Sequence, residues 1–425
     1  MKILNKFNFK SKNLILVLVS VLTQVLPILI SPIFSRIYSP EQFGEFSILL
    51  SYSSIFVIFF SGKYELALLL PKHEIDIKRV FQLCLAVISS SFLFTTVLCI
   101  VYYVLSKIFN LKFDPVYLIT PLYASLIAIY QLSCYLLLYL KLFRELSLNR
   151  FIKSFVTIIV IACLGWFFKG VNGLIIGSFI GQFLSIVLCF DLLNKKSLRF
   201  RHLQIIRGFA KFKSIMVEYI NFPKYSLPAD LINAVVSQAP VFILSIYFSK
   251  TIVGYYGFVV TVVQVPISII ASAVLDIFKE MSTREFKEKG NCKNSFKKTF
   301  LLLLGINIIP LTVILGWGPL VFEFVFGTKW SIAGSYAQVM VIMFFIKFIS
   351  SPLSYTFILM GRQKLDLYLH LLILILLILS LFAGIYFNLS AFNFLVLIAS
   401  VFGFIYLIYL VKSYEFSKGY GEKIS

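Results

Sequence analysis

One charge stands where charges are costly. Lys347 lies midway along the apolar run "VIMFFIKFISSPLSY", residues 341–355, about 20 Å of helix from either end of a span read as Ala333 to Met360. An ammonium left in lipid at that depth costs about 2.5–3.5 kcal/mol on insertion scales, and its stem does not easily reach interfacial water. The chemistry open to such a residue is attraction of an anion from a wet protein interior. At 100° per residue, Tyr336, Ser350, Ser351 and Ser354 fall within about 60° of Lys347, whereas Gln338 points the other way. This stripe reads as the lining of a water-filled cavity. The alternative is a buried ion pair with Asp230 or Glu323.

Other polar groups sit at depth or at span ends. Gln24 and Pro27 share one span and Gln238 and Pro240 another; a proline frees a backbone carbonyl, which is tolerable only where neighbours or cavity water meet it. Arg36 ends the first span and Glu45 begins the second, Lys63 and Glu65 lie at the second span's inner mouth, and Asp366 with His370 opens the eleventh. Asp230 follows Pro228 and reads as an N-terminal cap, with a coupling or gating role as the alternative.

The elements that must position these groups are transmembrane helices. The 425 residues are 60% hydrophobic and 13% charged, well above the apolar content of a soluble domain. Twelve continuous apolar runs match the roughly 30 Å hydrocarbon core, near 14–35, 44–62, 80–105, 116–140, 154–168, 172–190, 226–248, 253–277, 299–322, 333–359, 366–387 and 391–411. Their continuity excludes a transmembrane β-barrel, whose segments alternate. The net charge of +21 follows topology rather than nucleic acid: with the N-terminus inside, inner segments carry 32 of the 39 Lys and Arg and outer loops 6. Both termini are thereby expected in the cytoplasm, and Trp166, Trp317 and Trp330 are expected at the outer interface.

The longest interruption, 191–225, divides the chain into an N-terminal six-helix lobe (1–190) and a C-terminal one (226–425). The expected fold is all-α and integral to the membrane, about twelve helices in two six-helix lobes around a central cavity. Within the linker, Ile205, Phe209, Phe212, Met216 and Tyr219 recur at helical spacing among Arg207, Lys211 and Lys213, the pattern of a basic helix lying on anionic lipid. "IYSPEQFGEF" (37–46) is echoed by "YFSKTIVGYY" (247–256), aligning Ser39 with Ser249 and Gly44 with Gly254. Repeats separated by six spans share an orientation. Gly173, Gly177 and Gly181 form a stripe that admits close helix approach. The first apolar run, long and without a small-residue cleavage site, reads as a retained span. No phosphate-binding GxxxxGK loop occurs, the three histidines lack metal-ligand spacing, and the six cysteines suggest neither disulfide nor metal framework. Outer loops of about ten residues leave no room for a catalytic domain, so an enzyme is not expected.

Three segments, "SPIFSRIYSPEQFGEFSIL" (31–49), "KYELALLLPK" (63–72) and "FPKYSLPADLINAVVSQAPVFIL" (222–244), together with the twelve-span plan, resemble the bacterial polysaccharide repeat-unit flippases, Wzx-type members of the multidrug/oligosaccharidyl-lipid/polysaccharide exporter superfamily. The resemblance implies translocation of an undecaprenyl-pyrophosphate-linked oligosaccharide from the inner to the outer leaflet of the bacterial inner membrane, for O-antigen, capsule or a related glycan. It implies alternating access between the two lobes, proton or sodium coupling without a bound cofactor, membrane lipids as surroundings, and a glycan polymerase with its chain-length machinery as partners. In that picture Lys347 attracts the diphosphate and Arg36 assists near the outer exit. Gln24, Gln131, Gln238 and Gln264 meet sugar hydroxyls, and Asp230 and Glu65 are the first coupling candidates. At position 63 the resemblance leads us to expect a basic residue, often Arg; Lys offers a point charge instead of a bidentate fork. Two competing readings are a multidrug exporter for organic cations, which favours buried carboxylates over a central lysine, and a membrane glycan polymerase or ligase, which needs a large outer loop.

Overall fold

The computed structural model describes residues 11–71, 74–110, 114–168, 172–196 and 209–419. Their regular structure is helical throughout: α1 (Ser11–Ile37), α2 (Pro40–Ser61), α3 (Glu74–Ile108), α4 (Val116–Tyr139), α5 (Phe143–Phe167), α6 (Gly173–Lys196), α7 (Phe209–Glu218), α8 (Leu227–Tyr247), α9 (Lys250–Val259), α10 (Val265–Lys289), α11 (Lys293–Phe326), α12 (Ser331–Leu353), α13 (Tyr355–Leu359), α14 (Gln363–Tyr386) and α15 (Ala391–Ser417). A π-helical turn, Val260–Gln264, joins α9 to α10, so that Lys250–Lys289 is one helix of 40 residues. Eleven helices among the described residues are long and apolar enough to cross a bilayer, and α1 carries a shorter apolar stretch, Leu22–Ile37, consistent with about twelve spans. The protein is an all-α, multi-pass membrane protein.

Local sequence explains where two of these helices start. Ser39 and Gln42 form a reciprocal capping box at α2: the Ser39 N–H donates to Gln42 Oε1 at 3.0 Å and the Gln42 N–H to Ser39 Oγ at 3.3 Å. At the echoed position Ser249 accepts the Ile252 N–H and begins α9. Outward faces are apolar because acyl chains, unlike water, do not drive such groups inward. On α3, Leu93, Phe94, Val97, Leu98 and Val101 all point outward.

The chain divides into two compact units, Met1–Ile30 with Glu45–Ser237, and Ser31–Gly44 with Gln238–Ser425. In the first, Phe60, Leu68, Phe81, Leu83, Ala124, Leu132 and Leu137 form a core around α4. Gly177 and Gly181 of α6 lie against Ile161 and Thr157 of α5, with no room for a Cβ. In the second unit α12 is the central helix, packed against α9, α10, α11 and α15. Its neighbours surround Lys347, which keeps that residue from facing lipid.

Four expectations need correction. First, α5 begins at Phe143, not near 154, because a hydropathy count finds the hydrocarbon core, whereas the helix continues through polar "FRELSLNR" into the interface. Lys153 is thus a helix residue. Second, the run 333–359 lies within one membrane span, Thr328–Leu359, but is broken near its end: α12 closes at Leu353, just after Pro352, and α13 follows. Third, Asp230 caps no helix start, since the π-helical turn Phe222–Ser226 runs directly into α8 and supplies the carbonyls its amides need. Fourth, Trp330, expected as an exposed interfacial ring, is fully buried within the protein. Its indole N–H donates to the Ser35 carbonyl at 2.8 Å, and its ring packs 4.0 Å from Phe258 and 5.1 Å from Phe43. Trp166 and Trp317 are exposed at 72% and 58%. Of the amphipathic linker, Ile205 and Arg207 lie outside the described residues. Met216 is exposed and Tyr219 half-buried, with the intervening face held by the buried Ile215.

Candidate functional site

Within the second unit, α10 and α12 face one another across a cavity of about 130 Å³. Polar residues recur at four-residue steps on both walls: Gln264, Ser268 and Ser272 on one, Lys347 and Ser351 on the other. Steps of four keep a helix residue on one face, so two polar ridges meet. Ser268 Oγ donates to the Gln264 carbonyl and Ser272 Oγ to the Ile269 carbonyl, at 2.9 and 2.8 Å. With its proton spent on its own helix, each hydroxyl presents lone pairs to the cavity. Ile267, Ala271, Leu275, Phe344 and Phe348 complete the lining. Room for about four waters follows from roughly 30 Å³ apiece.

Lys347 is half-buried and, among the described residues, makes no ion pair within 4 Å. Its ammonium lies 5.7 Å from the ring centre of Tyr406 on α15, a contact that steadies a cation without neutralising it. Of the two carboxylates weighed as partners, Glu323 is exposed and Asp230 pairs elsewhere. The cavity thus combines an uncompensated cation, an amide and serine oxygens.

The remaining members of the expected stripe lie beside this cavity, not in its lining. Tyr336 is buried edge-on to Tyr255 at 6.0 Å. Ser350 is buried and donates to the Lys347 carbonyl at 3.3 Å, and Ser354 donates to the Ser351 carbonyl at 2.8 Å. Arg36 is exposed and reaches the Val325 carbonyl at 3.5 Å. Gln24 and Gln131 are exposed in the first unit and Gln238 is half-buried in the second. Gln338, on the other face of α12, donates to the Leu315 carbonyl at 2.8 Å. Pro319, four residues on, has no N–H to offer that carbonyl, so Gln338 repairs a break in α11.

The three coupling or gating candidates come together in the first unit. Lys63 Nζ stands 2.8 Å from Asp230 Oδ2 and 3.9 Å from Glu65 Oε1. Gly62 and Lys63 both adopt left-handed φ, 54° and 61°, turning the chain from α2 into a 3-10 turn, Tyr64–Leu69. Glu65 is buried there, 3% exposed. Burial raises its pKa above the ordinary carboxylate value, with Ser61 and Lys63 pulling the other way. An acid inclined to keep its proton beside a Lys–Asp pair is a group whose charge can change.

Two features escaped the sequence reading. Ser268 and Ser272 carried a signal in their spacing from Gln264, but only the facing lysine gives that spacing meaning. Lys153 was hidden among inner cations; on α5 its ammonium lies 4.3 Å over the Tyr130 ring of α4.

The comparisons with known proteins agree with this architecture. No curated protein sequence matches the chain significantly. The lipid II flippase MurJ in an inward closed conformation superposes with a TM-score of 0.70 at 14% identity, covering 95% of this chain and 90% of that one. An inward-facing multidrug resistance transporter of the MATE family, MOP superfamily, gives 0.67 at 12%, covering 92% and 93%. A MOP superfamily transporter from Pyrococcus furiosus, described as having a binding pocket of reverse polarity, gives 0.53 at 12%, covering 94% and 93%. At these identities the likeness establishes the fold. The profile of the family described as polysaccharide biosynthesis protein matches residues 33–335, most of the chain, and the chain belongs to that family.

Proposed function

We propose that this protein flips undecaprenyl-pyrophosphate-linked oligosaccharide repeat units from the cytoplasmic to the outer leaflet of the bacterial inner membrane, both of its termini being cytoplasmic. The product would feed O-antigen, capsule or related polysaccharide synthesis. The observation that carries this reading is Lys347: a membrane-depth cation without a carboxylate partner among the described residues, beside a cavity lined by Gln264, Ser268, Ser272 and Ser351. Such a site suits a diphosphate and hydroxyl-rich head group. An organic-cation exporter needs the opposite sign. A reversal of pocket polarity has been described for the Pyrococcus furiosus transporter, so the fold accommodates either charge.

At 130 Å³ the cavity is smaller than the roughly 300–1,000 Å³ of small-molecule sites. It holds an anionic group or its hydration water, not a whole repeat unit, and transport therefore requires a further opening. Alternating access supplies it. Pro27 and Pro240 lie close to the points where α1 and α8 pass from one compact unit to the other, and proline is where a helix bends. Lys63, Asp230 and Glu65 form the gating and coupling group, driven by protons or sodium. Arg36, Gln24, Gln131 and Gln238 contribute along the path.

The test is in cells. Lys347→Ala should abolish surface glycan and make lipid-linked repeat units accumulate on the inner leaflet, while Lys347→Arg retains part of the activity. Normal surface glycan from a stably expressed Lys347→Ala variant removes this lysine from the mechanism.

A further inference from the structure

A second, larger cavity lies where α10 turns into α11. The turn is held firmly: Gly290 takes a left-handed φ of 69°, the Cys292 N–H donates to the Ser417 carbonyl at 2.9 Å, and Glu285 clamps the two helices. The Glu285 carboxylate, 8% exposed, accepts the Asn294 N–H at 3.3 Å, the Ser295 N–H at 2.7 Å and the Ser295 hydroxyl at 2.5 Å. Its charge is thereby spent on the first turn of α11.

Around this clamp opens a space of about 410 Å³ bordered by Arg284, Lys289, Lys297 and Lys298. None of these four cations makes an ion pair within 4 Å among the described residues. Against them stand Glu285, already committed, and Glu288, so the cavity is net cationic. Its composition changes along the helices: Met281 and Leu301 close one edge, and Leu301 and Leu302 continue outward as exposed apolar surface. Cations beside an apolar slope match a molecule with a phosphate at one end and acyl chains at the other. A free phosphate has no use for the slope.

We infer that the α10–α11 cavity binds the phosphate head group of an anionic phospholipid of the inner leaflet, with its chains descending along Leu301 and Leu302. This site is separate from the Lys347 cavity and stands whether or not that cavity takes a diphosphate.

The experiment uses delipidated full-length protein, titrated with phosphatidylglycerol or phosphatidylcholine in detergent and read by native mass spectrometry. Selective phosphatidylglycerol adducts are expected on the wild type. With about 1 kcal/mol per interfacial lysine, Lys297→Gln with Lys298→Gln should weaken them about 30-fold, and Arg284→Gln serves as a second variant should the double one not fold. A control, Lys287→Gln with Lys293→Gln, removes the same charge outside the cavity and should leave binding unchanged. Equal adducts on the cavity variants overturn the inference, as does an equal loss in the control. Displacement of the lipid by inorganic pyrophosphate at equal concentration also overturns it, because the site would then read phosphate alone.

Discussion

Gly44 and Gly254 face one another in a reciprocal crossing. A Cβ on Gly44 would strike the carbonyl of Lys250, and a Cβ on Gly254 the carbonyl of Pro40. Each obstructing carbonyl belongs to the residue four positions before the opposite glycine. The two positions were aligned by the internal echo of the sequence, and the structure brings them into direct contact.

Because both obstructions are backbone, relief requires the helices to part. Gly44→Ala or Gly254→Ala should each cost about 1–3 kcal/mol, the usual range for overpacking, lowering the melting temperature in detergent. The double variant should cost less than the sum, since one separation relieves both clashes. Additive losses would mean that the glycines act independently.

The cavity beside Lys347 depends on small residues opposite it. Ser272→Leu should fill part of the 130 Å³, preserving expression and fold while reducing export of lipid-linked repeat units several-fold. Ser272→Ala should stay near wild type. Full export by the leucine variant would show that the cavity lies off the substrate path.

Glu65 predicts a pH effect with a definite sign. Burial raises its folded pKa above its ordinary 4.5, so its contribution to stability is fully present below that value and is lost as pH rises through the folded pKa. Glu65→Gln removes the titration. The melting temperature of the variant minus that of the wild type should therefore increase from acid pH toward neutrality. A difference independent of pH would mean that Glu65 does not titrate in the folded protein.

The Lys63–Asp230 pair is partly exposed, at 18% and 44% for the two side chains, and its coupling should be about 1 kcal/mol or less. Lys63→Asp and Asp230→Lys should each impair transport, and the exchanged double variant should recover part of the loss. Failure to recover would indicate that Lys63 serves through its left-handed backbone or through Glu65.

Much of this protein follows from local physics that a linear sequence carries. Apolar runs of membrane length marked the membrane-crossing helices, the Ser39 and Ser249 caps set two helix starts through a few neighbouring residues, and the position of Lys347 in a greasy run called for a place away from lipid. These are properties of a few neighbouring residues and the bilayer. Hydropathy was weaker at helix ends: α5 begins at Phe143 and runs through polar residues before the apolar stretch that starts near 154.

Tertiary structure alone decided which faces meet. Periodicity places Gln264, Ser268 and Ser272 on one side of α10 but does not say that Lys347 lies opposite, since that depends on how helices distant in sequence dock their ridges. It likewise brought Lys63 to Asp230 and closed Phe258, Phe43 and Ser35 around Trp330, turning an expected interfacial ring into a core residue. A helix specifies its own faces within a few turns; the partner of each face is chosen by the packing of the whole unit.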